Sequence, residues 1–369
     1  MIMMLSPQNV PSLDSIPKFR FIGSKHNLLE YILGIIRQEK IVGETFFDVF
    51  CGSTAVSRYF KKMYSIISND NLYFSFVLQK GLVTLNQYPS FTNIKDIVEV
   101  PPNPKMKIKK ILHLLNRSEG LNGFIFNHYT PASKNIDGIE RRYFSETNGN
   151  KIDGIRVRIE DWFNSKIINE DEYYYLLTSL LLAVQKVSNI SGTYGAFNKI
   201  WDPRANKSLE LRFIEVIPSN FIHKAFNKDS FELIGEINCD IAYIDPPYNS
   251  RQYISNYHVL ETIAKYDKPK ISGKTGIRKY TEKDKSVFCS NKTASDALLK
   301  LLDGLKTKTI ILSYNSEGIL SKEEITKIFE NSKFKGVKTH EISYRRFKSN
   351  HKTRNDKIKE YLFIGKVIA

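Results

Sequence analysis

The tetrapeptide Asp245-Pro246-Pro247-Tyr248 constrains the fold of this chain more than any other feature. It directly follows residues 241–244, an apolar and aromatic run that predicts a buried strand, and Asn249 and Ser250 then begin a turn. In open α/β sheets, ligands bind where parallel strands end. The tetrapeptide is therefore either an ordinary turn after a strand or the chemical centre of an α/β fold.

The residue types in this tetrapeptide suit chemistry on a planar amine, such as the exocyclic amine of adenine. That nitrogen is a poor nucleophile because its lone pair is delocalised into the ring. The Asp245 carboxylate and the Pro246 carbonyl can accept its two N–H hydrogens, which frees the lone pair, and charge-assisted hydrogen bonds are the stronger kind. Pro246 and Pro247 restrict φ and add no competing N–H. Tyr248 can stack on an extruded base.

The N-terminal part of the chain alternates strand-like and helix-like segments. Residues 45–50 predict a strand, 55–63 a helix and 65–68 a second strand, with a tight turn at 51–53. This β-α-β order implies a parallel sheet with a ligand at the strand ends. Similar signals resume near Asp229 and continue to the end of the sequence. We therefore predict an α/β fold with a Rossmann-like sheet.

The alternation stops between residues 75 and 225. A proline-rich stretch there lies beside several lysines, and aromatic side chains are then mixed with polar and basic ones. Such a mixture is typical of a surface that contacts nucleic acid. We predict a largely helical domain at residues 75–225, inserted into a catalytic domain that comprises residues 1–74 and 226–369.

The longest apolar run, residues 173–187, lies inside this inserted segment. Polar residues interrupt it, so it predicts a buried helix rather than a membrane span. Asn169 is followed by Glu172 three residues later, a spacing that is typical of an N-terminal helix cap. We expect no membrane association.

The composition narrows the class of protein further. The 369 residues carry a net charge of +16 at pH 7, which favours a polyanionic partner, nucleic acid before membrane. The 3 cysteines are too few for a disulfide framework and lack metal-ligand spacing, so we expect no metal and a reducing cytoplasm. The apolar start of the chain is too short for a secretory signal.

Five residues outside the tetrapeptide could bind a cofactor at the strand ends. Asp48 and Gly52 flank the end of the first strand, where glycine allows a ligand to approach the backbone, although a structural turn is the alternative. Asp70 ends the second strand and could accept both ribose hydroxyls, or could cap the next helix. Asp229 could read an adenine amine or lie in a solvated turn. Lys25 could hold an anionic carboxylate or lie on the surface.

Together, these residues resemble the Dam-like alpha class of DNA adenine-N6 methyltransferases, across nearly the whole chain and in the order of that class. Phe21-Ile22-Gly23-Ser24-Lys25 looks like its N-terminal cofactor motif and Asp48-Val49-Phe50-Cys51-Gly52 like its glycine motif. Asn69-Asp70-Asn71 looks like its ribose motif, and residues 245–248 match its catalytic motif. The closing pattern, Tyr344-Arg345-Arg346-Phe347 and then Glu360-Tyr361-Leu362-Phe363-Ile364, resembles the last hairpin of the class.

The resemblance implies S-adenosylmethionine (SAM) as methyl donor and a target-recognition domain in the inserted segment. Residues 192–199, with Trp201 and Arg204, are similar to the end of that domain in restriction–modification methylases. The implied partners are double-stranded DNA and a cognate restriction endonuclease that acts separately. The implied catalytic residues are Asp245, Pro246, Pro247 and Tyr248. The implied cofactor-binding residues are Phe21, Lys25, Asp48, Phe50, Gly52, Asp70, Asp229, Phe231 and Asp245.

The sequence departs from the pattern of the class at two positions. The glycine motif usually has a second glycine where this chain has Thr54, which affects the expected geometry of that turn. An aromatic residue, often tryptophan, is usual where Phe21 stands, and a phenylalanine ring can still stack on the adenine of the cofactor.

Basic residues are the candidates for DNA contact. The basic runs at residues 265–279 and 345–359 are either solvated surfaces or phosphate-binding surfaces, and the net charge favours the second. For Arg141 and Arg142 the alternative is a surface salt bridge. The candidates are Arg141, Arg142, Lys199, Arg251, Arg345 and Arg346.

Two other functions compete with this interpretation. The first is methylation of RNA or of a different planar nitrogen, since related enzymes carry similar tetrapeptides. The aspartate at the first position and the large inserted segment favour adenine in DNA. The second is a binding protein with an inactive methylase fold, such as one subunit of a larger restriction complex, which the full set of expected catalytic residues disfavours.

Overall fold

The computed structural model describes residues 11–345 and 357–367. Its main feature is a mixed sheet of seven strands, with a separate two-stranded hairpin formed by β5 and β6. The strands are β1 (Thr45–Asp48), β2 (Ser65–Asn69), β3 (Lys224–Phe226), β4 (Asn238–Ile244), β5 (Ile271–Ser272), β6 (Ile277–Arg278), β7 (Lys306–Asn315), β8 (Phe334–Arg345) and β9 (Lys357–Val367).

The strand order is β3-β2-β1-β4-β7-β9-β8. Neighbours from β3 to β7 pair in parallel, and β9 pairs antiparallel with both β7 and β8. The order reverses between β1 and β4, so the loops after these two strands diverge and leave a crevice at their carboxyl ends. The predicted Rossmann-like α/β sheet is confirmed in its coarse form as a mostly parallel sheet, and the crevice is where the tetrapeptide lies.

Twelve α-helices lie within the described residues. In chain order they are α1 (Leu29–Gln38), α2 (Ala55–Phe60), α3 (Tyr73–Gln79), α4 (Pro104–Asn116), α5 (Phe124–Tyr129), α6 (Lys134–Asp137), α7 (Glu146–Asn164), α8 (Glu170–Val187), α9 (Ser230–Leu233), α10 (Tyr253–Lys265), α11 (Ala294–Gly304) and α12 (Lys322–Asn331). None of the helices in the described ranges is long and apolar enough to cross a bilayer.

Side chains of the central strands alternate between two hydrophobic cores, one on each face of the sheet. In β1, Phe46 belongs to the larger core and Phe47 to the smaller, and in β4 Tyr243 and Ala242 divide in the same way. A parallel sheet covered on both faces needs apolar side chains in both directions. This burial explains why the run before the tetrapeptide is almost continuously apolar.

The segment predicted as an insertion is built from helices α4–α8, and these helices share the larger core with the sheet. The predicted boundaries pass through α3 and β3, so both junctions lie inside elements rather than between them. Helix α8 is buried along most of its length, and Asn169 and Glu172 form the predicted capping box at its start. The helical layer is therefore packed onto the sheet.

Candidate active site

A cavity of about 970 Å³, including its part open to solvent, lies at the carboxyl ends of β1, β2 and β4. Every residue that the resemblance assigned to a cofactor lines this cavity, and Pro247 and Tyr248 line it too. The residues come from five separate parts of the chain, and the topology of the sheet brings them together. The volume of the cavity is in the range of small-molecule binding sites.

Asp245 stands at the end of β4 with little contact with solvent. Its side chain is 16% exposed, and its Oδ1 atom lies 2.8 Å from Nζ of Lys25. Burial raises the pKa of the Asp245 carboxyl to about 7, and the opposing charge of Lys25 limits that rise. Lys25 takes one acceptor site of Oδ1, so the other oxygen, Oδ2, keeps both of its sites for a ligand in the cavity.

Lys25 is buried between two carboxylates of the protein itself. Its side chain is 3% exposed, and Nζ lies 2.8 Å from Asp245 and 3.2 Å from Glu360. Burial lowers the pKa of Lys25, but the charges of Asp245 and Glu360 outweigh it and raise that pKa well above its usual value. The prediction that Lys25 holds an anionic carboxylate matches the chemistry of this contact, but the carboxylates that it contacts belong to the protein.

The loop after Asp245 is held from two sides. The Tyr248 carbonyl accepts a 2.9 Å hydrogen bond from the Ile319 amide, and the Tyr248 ring meets Tyr314 edge-on at 6.2 Å. On the other side, a Cβ added to Gly23 would lie 2.7 Å from the Tyr248 hydroxyl, and Gly23 has φ of +75°. Only glycine satisfies both the close approach and the left-handed backbone. Pro246 is buried and Pro247 half-buried, so the loop is rigid as well as supported.

The turn after β1 keeps its shape despite the missing second glycine. Gly52 has φ of +50°, and a Cβ there would lie 2.7 Å from the Phe21 ring. Thr54 itself adopts the left-handed conformation, with φ of 65°, at the start of α2. A left-handed β-branched residue costs about 1–2 kcal/mol, and the surrounding packing compensates for that cost. The departure in sequence therefore leaves the turn in place.

Two carboxylates at the ends of β1 and β2 face the cavity in different hydrogen-bonding states. Asp70 accepts from the Gly52 amide at 2.8 Å and from the Leu72 amide at 2.9 Å, so it stabilises the glycine turn and the approach to α3. Asp48 accepts from the Ser57 hydroxyl at 2.7 Å through Oδ2, while its Oδ1 is buried without a partner among the described residues. Burial raises the pKa of both carboxyls to about 6.

The outer wall of the cavity is aromatic. Phe231 stacks on Phe288 at 6.0 Å, and Phe50 meets Phe288 edge-on at 5.3 Å. Phe21 stacks on Tyr257 at 4.6 Å. Asp229 lines the cavity, and it also accepts a 2.8 Å hydrogen bond from the Phe231 amide as the cap of α9, a role that was not predicted for it.

Sequence reasoning missed the wall that residues 284–288 contribute. Asp284, Ser286, Val287 and Phe288 line the cavity, as does Gln252. The Ser286 amide donates a 2.7 Å hydrogen bond to Gln252, which ties this loop to the segment just after the tetrapeptide. The loop carries no motif, and its contacts with Gln252, Phe50 and Phe231 bring it to the cavity.

The family model of the D12 class N6 adenine-specific DNA methyltransferases matches residues 21–328. The chain belongs to this family. The matched range contains all the residues that were predicted to bind a cofactor or to act in catalysis. The predicted family, that of the adenine-specific DNA methyltransferases, is confirmed.

Individual relatives of this chain are type II modification enzymes. The type II methyltransferase M.FokI of Planomicrobium okeanokoites is 42% identical over 95% of this chain and 53% of its own length. The modification methylase StsI of Streptococcus sanguinis is 38% identical over 93% of this chain and 51% of its own length. The type II methyltransferase M.NlaIII of Neisseria lactamica is 37% identical over 93% of this chain and 98% of its own length. The chain thus spans about half of the first two relatives and nearly all of the third.

The six residues predicted to contact DNA differ in how exposed they are in the structure. Arg141 is buried, 1% exposed, and paired with Asp137, so its assignment as a DNA contact is wrong because packing against α6 removes it from the surface. Arg142 is half-buried, with a 2.6 Å ion pair to Glu140, while Lys199 and Arg251 are exposed. The Arg345 side chain and all of Arg346 lie outside the described residues.

Proposed function

We propose that this methyltransferase transfers a methyl group from SAM to N6 of an adenine extruded from double-stranded DNA. The observation that carries the proposal is the buried Asp245 carboxylate, which shares one cavity with Asp48 and Asp70. We also propose that the enzyme is the modification half of a restriction–modification system, with a separate endonuclease as partner. The names of M.FokI and M.NlaIII as type II methyltransferases support this second part.

The residues of the cavity fit SAM. Asp48 Oδ1 is a buried acceptor without a partner among the described residues, so it can receive a hydrogen bond from a cationic ligand such as the amino group of SAM. Asp70 keeps one acceptor site on each oxygen beyond its two backbone bonds, which suits ribose hydroxyls. The rings of Phe21, Phe50 and Phe231 offer apolar walls for an adenine ring. When bound, SAM supplies an electrophilic methyl group on a sulfonium.

Asp245 and the loop after it prepare the target nitrogen. Asp245 Oδ2 accepts one N–H of the adenine amine and the Pro246 carbonyl accepts the other, so the lone pair becomes available for bond formation. The nitrogen then gains the methyl group and gives up one proton, which Asp245 can take because burial has raised its pKa to about 7. Tyr248 supports the extruded base by stacking.

The DNA-binding surface that we propose includes a loop of the helical segment close to the tetrapeptide. The Arg251 guanidinium donates a 3.1 Å hydrogen bond to the Gly195 carbonyl, and the Tyr194 amide donates at 2.7 Å to the Asn256 carbonyl of α10. The loop is therefore attached to the residues that follow the tetrapeptide. Lys199 supplies positive charge on this loop, which suits contact with phosphates, whereas the Arg204 guanidinium is paired with Asp202.

Ile200 projects from the tip of this loop. It is 86% exposed, while buried Asn189 holds both sides of the tip through hydrogen bonds with Asn198 and Asp202 of 2.9–3.0 Å. A fixed apolar side chain beside a cation suits insertion between base pairs. We propose that Ile200 fills the space that the extruded adenine leaves.

The test of the proposed function is methyl transfer from radiolabelled SAM to unmodified genomic DNA, with total RNA as the second substrate. We expect label in DNA only. Sequencing of the product DNA with modification detection is then expected to show N6-methyladenine at one short sequence. Label in RNA, or SAM binding without transfer to any DNA, would exclude the proposal.

Replacing Ile200 with alanine is expected to slow single-turnover methylation of a paired duplex by about tenfold, because extrusion of a base costs a few kcal/mol. The same variant is expected to match the wild type on a duplex whose target adenine faces an abasic site, since that adenine is already unpaired. Ile222→Ala is the matched control, another exposed isoleucine, at 78%. An equal loss on both duplexes would contradict the role of Ile200 in base extrusion.

A further inference from the structure

Behind the Lys25–Asp245 pair lies a second buried carboxylate, that of Glu360 on β9. Its side chain is 1% exposed, and it is not among the residues that line the cavity. Burial of an ionised carboxylate is costly unless the group is paired and hydrogen-bonded. Neither the predicted site nor the proposed chemistry uses Glu360, so its burial needs another explanation.

Two neighbouring strands, β7 and β8, fix the position of the Glu360 carboxylate. The Ser313 hydroxyl donates to Oε1 at 2.6 Å from β7. The Asn315 amide, also on β7, and the Tyr344 hydroxyl on β8 donate to Oε2 at 3.4 and 3.3 Å. Together with Lys25, these groups give each carboxylate oxygen two partners. Glu360 is therefore a rigid anchor, held by the sheet rather than by a loop.

Lys25 connects this anchor to the catalytic carboxylate. Its ammonium group has three hydrogens, and three oxygens surround it: the Gly23 carbonyl at 2.9 Å, Asp245 Oδ1 at 2.8 Å and Glu360 Oε1 at 3.2 Å. A lysine side chain is flexible, and a single carboxylate partner would leave its head free to rotate. Two hydrogen bonds and the ion pair with Glu360 therefore hold the Nζ atom in place.

We propose that Glu360 is a positioning residue for methyl transfer, which anchors Lys25 so that Lys25 holds Oδ1 of Asp245 and leaves Oδ2 for the target amine. The inference rests on the proposed function, because it assigns a step of that reaction. A role of Glu360 in the stability of the sheet alone is the competing explanation. The two differ in what they predict for the ionisation of Asp245.

The charges around Asp245 determine in which direction its pKa is expected to move when Glu360 is changed. Burial raises the Asp245 pKa to about 7, Lys25 lowers it, and the negative charge of Glu360 raises it. Methyl transfer needs the ionised carboxylate, so the wild-type rate is expected to fall as the pH drops through about 7. The titratable groups that face Asp245, Lys25 and Glu360 are Asp48, Tyr243, Tyr248, Tyr253 and Tyr344.

The experiment measures single-turnover methylation of the identified DNA site against pH, for the wild type and for Glu360→Gln. The glutamine keeps an oxygen for Lys25 but removes the negative charge that raises the Asp245 pKa. The acidic limb of the pH–rate profile, where the rate falls as Asp245 gains a proton, is therefore expected to move to lower pH. If the Asp245 pKa falls by about one unit from about 7, the rate at a pH of about 6 gains about fivefold relative to the plateau. Glu341→Gln, an exposed glutamate on β8, is the matched control and should leave the limb unchanged.

Glu360→Ala removes the anchor as well as the charge. We expect its plateau rate to fall by about 10- to 100-fold, because small misplacements of a reacting group have effects of that size. The SAM dissociation constant is expected to stay at the wild-type value, since Glu360 lies outside the cavity. Recovery of most of the plateau rate in Glu360→Gln, relative to Glu360→Ala, would support positioning by the remaining oxygen.

An acidic limb that stays in place in Glu360→Gln would overturn the inference, and this holds even if Glu360→Ala does not fold. A loss of rate in Glu360→Ala that only follows the loss of folded protein in thermal unfolding would also overturn it. A wild-type enzyme that methylates no DNA at any pH is a different result, because it would remove the proposed function and this inference together.

Discussion

Asp245→Asn is expected to lower the single-turnover rate of DNA methylation by at least about 10²–10³-fold, the usual effect of removing a preorganised electrostatic group. The asparagine has nearly the same shape, but it lacks the charge that accepts the amine hydrogen and pairs with Lys25 at 2.8 Å. The measurement is transfer of labelled methyl groups to a duplex that contains the recognition site, with enzyme in excess over DNA.

Two comparisons make this result interpretable. Asp296→Asn changes an exposed aspartate on α11 and should keep the wild-type rate. The SAM dissociation constant of Asp245→Asn, measured by calorimetry, shows whether the variant still has a formed cavity. If Asp245→Asn binds SAM and keeps more than about a tenth of the wild-type rate, Asp245 is not the catalytic carboxylate.

Asp48→Asn is expected to weaken SAM binding on the order of 10- to 100-fold, since a hydrogen bond to a charged group contributes about 1.5–3 kcal/mol. The substitution keeps the hydrogen bond with Ser57, because its hydroxyl, 2.7 Å from Oδ2, can donate to an amide oxygen or accept from an amide nitrogen. The measurement is calorimetric titration of the DNA-free protein with SAM.

The same variant is expected to raise the free energy of unfolding of the ligand-free protein above pH 6. Burial raises the Asp48 pKa from 3.8 in its free form to about 6, so the folded state binds the proton more tightly than the unfolded state. As the pH rises from about 3.8 to about 6, ionisation of the buried Asp48 carboxyl therefore lowers the free energy of unfolding. An asparagine at this position does not ionise, so the variant does not lose that stability. Weaker SAM binding together with lower stability would indicate a structural role for Asp48 instead, and Ser57→Ala shows the effect of losing the hydrogen bond alone.

The strand ends were predictable because their signals are local. A buried parallel strand needs a short apolar run, and the loop that follows must carry polar residues, so Asp48, Asp70 and Asp245 could be placed at one edge of a sheet. The capping box of α8 could be predicted for the same reason, since Asn169 and Glu172 are three residues apart. In each case the interacting groups are close in the sequence.

The errors and omissions have the opposite cause. Arg141 looked like a surface cation because its neighbours in the sequence are polar, but its environment is set by Asp137 and by the backbone at Gly273 and Gly276 of the β5–β6 hairpin. The cavity wall at Phe288 was missed because Phe288 contacts Phe50 and Phe231, which are distant in the sequence, and its sequence neighbours do not predict these contacts.

The sequence by itself determined which polar residues follow the strands, the order of the motifs and the family to which the chain belongs. Only the tertiary structure decided which charges meet. Lys25 and Asp245 are 220 residues apart, and Glu360 reaches Lys25 only because β9 enters the sheet beside β7. The physical reason is that the ionisation of a buried carboxylate depends on its desolvation and on charges within a few ångströms, and both follow from packing rather than from sequence neighbours.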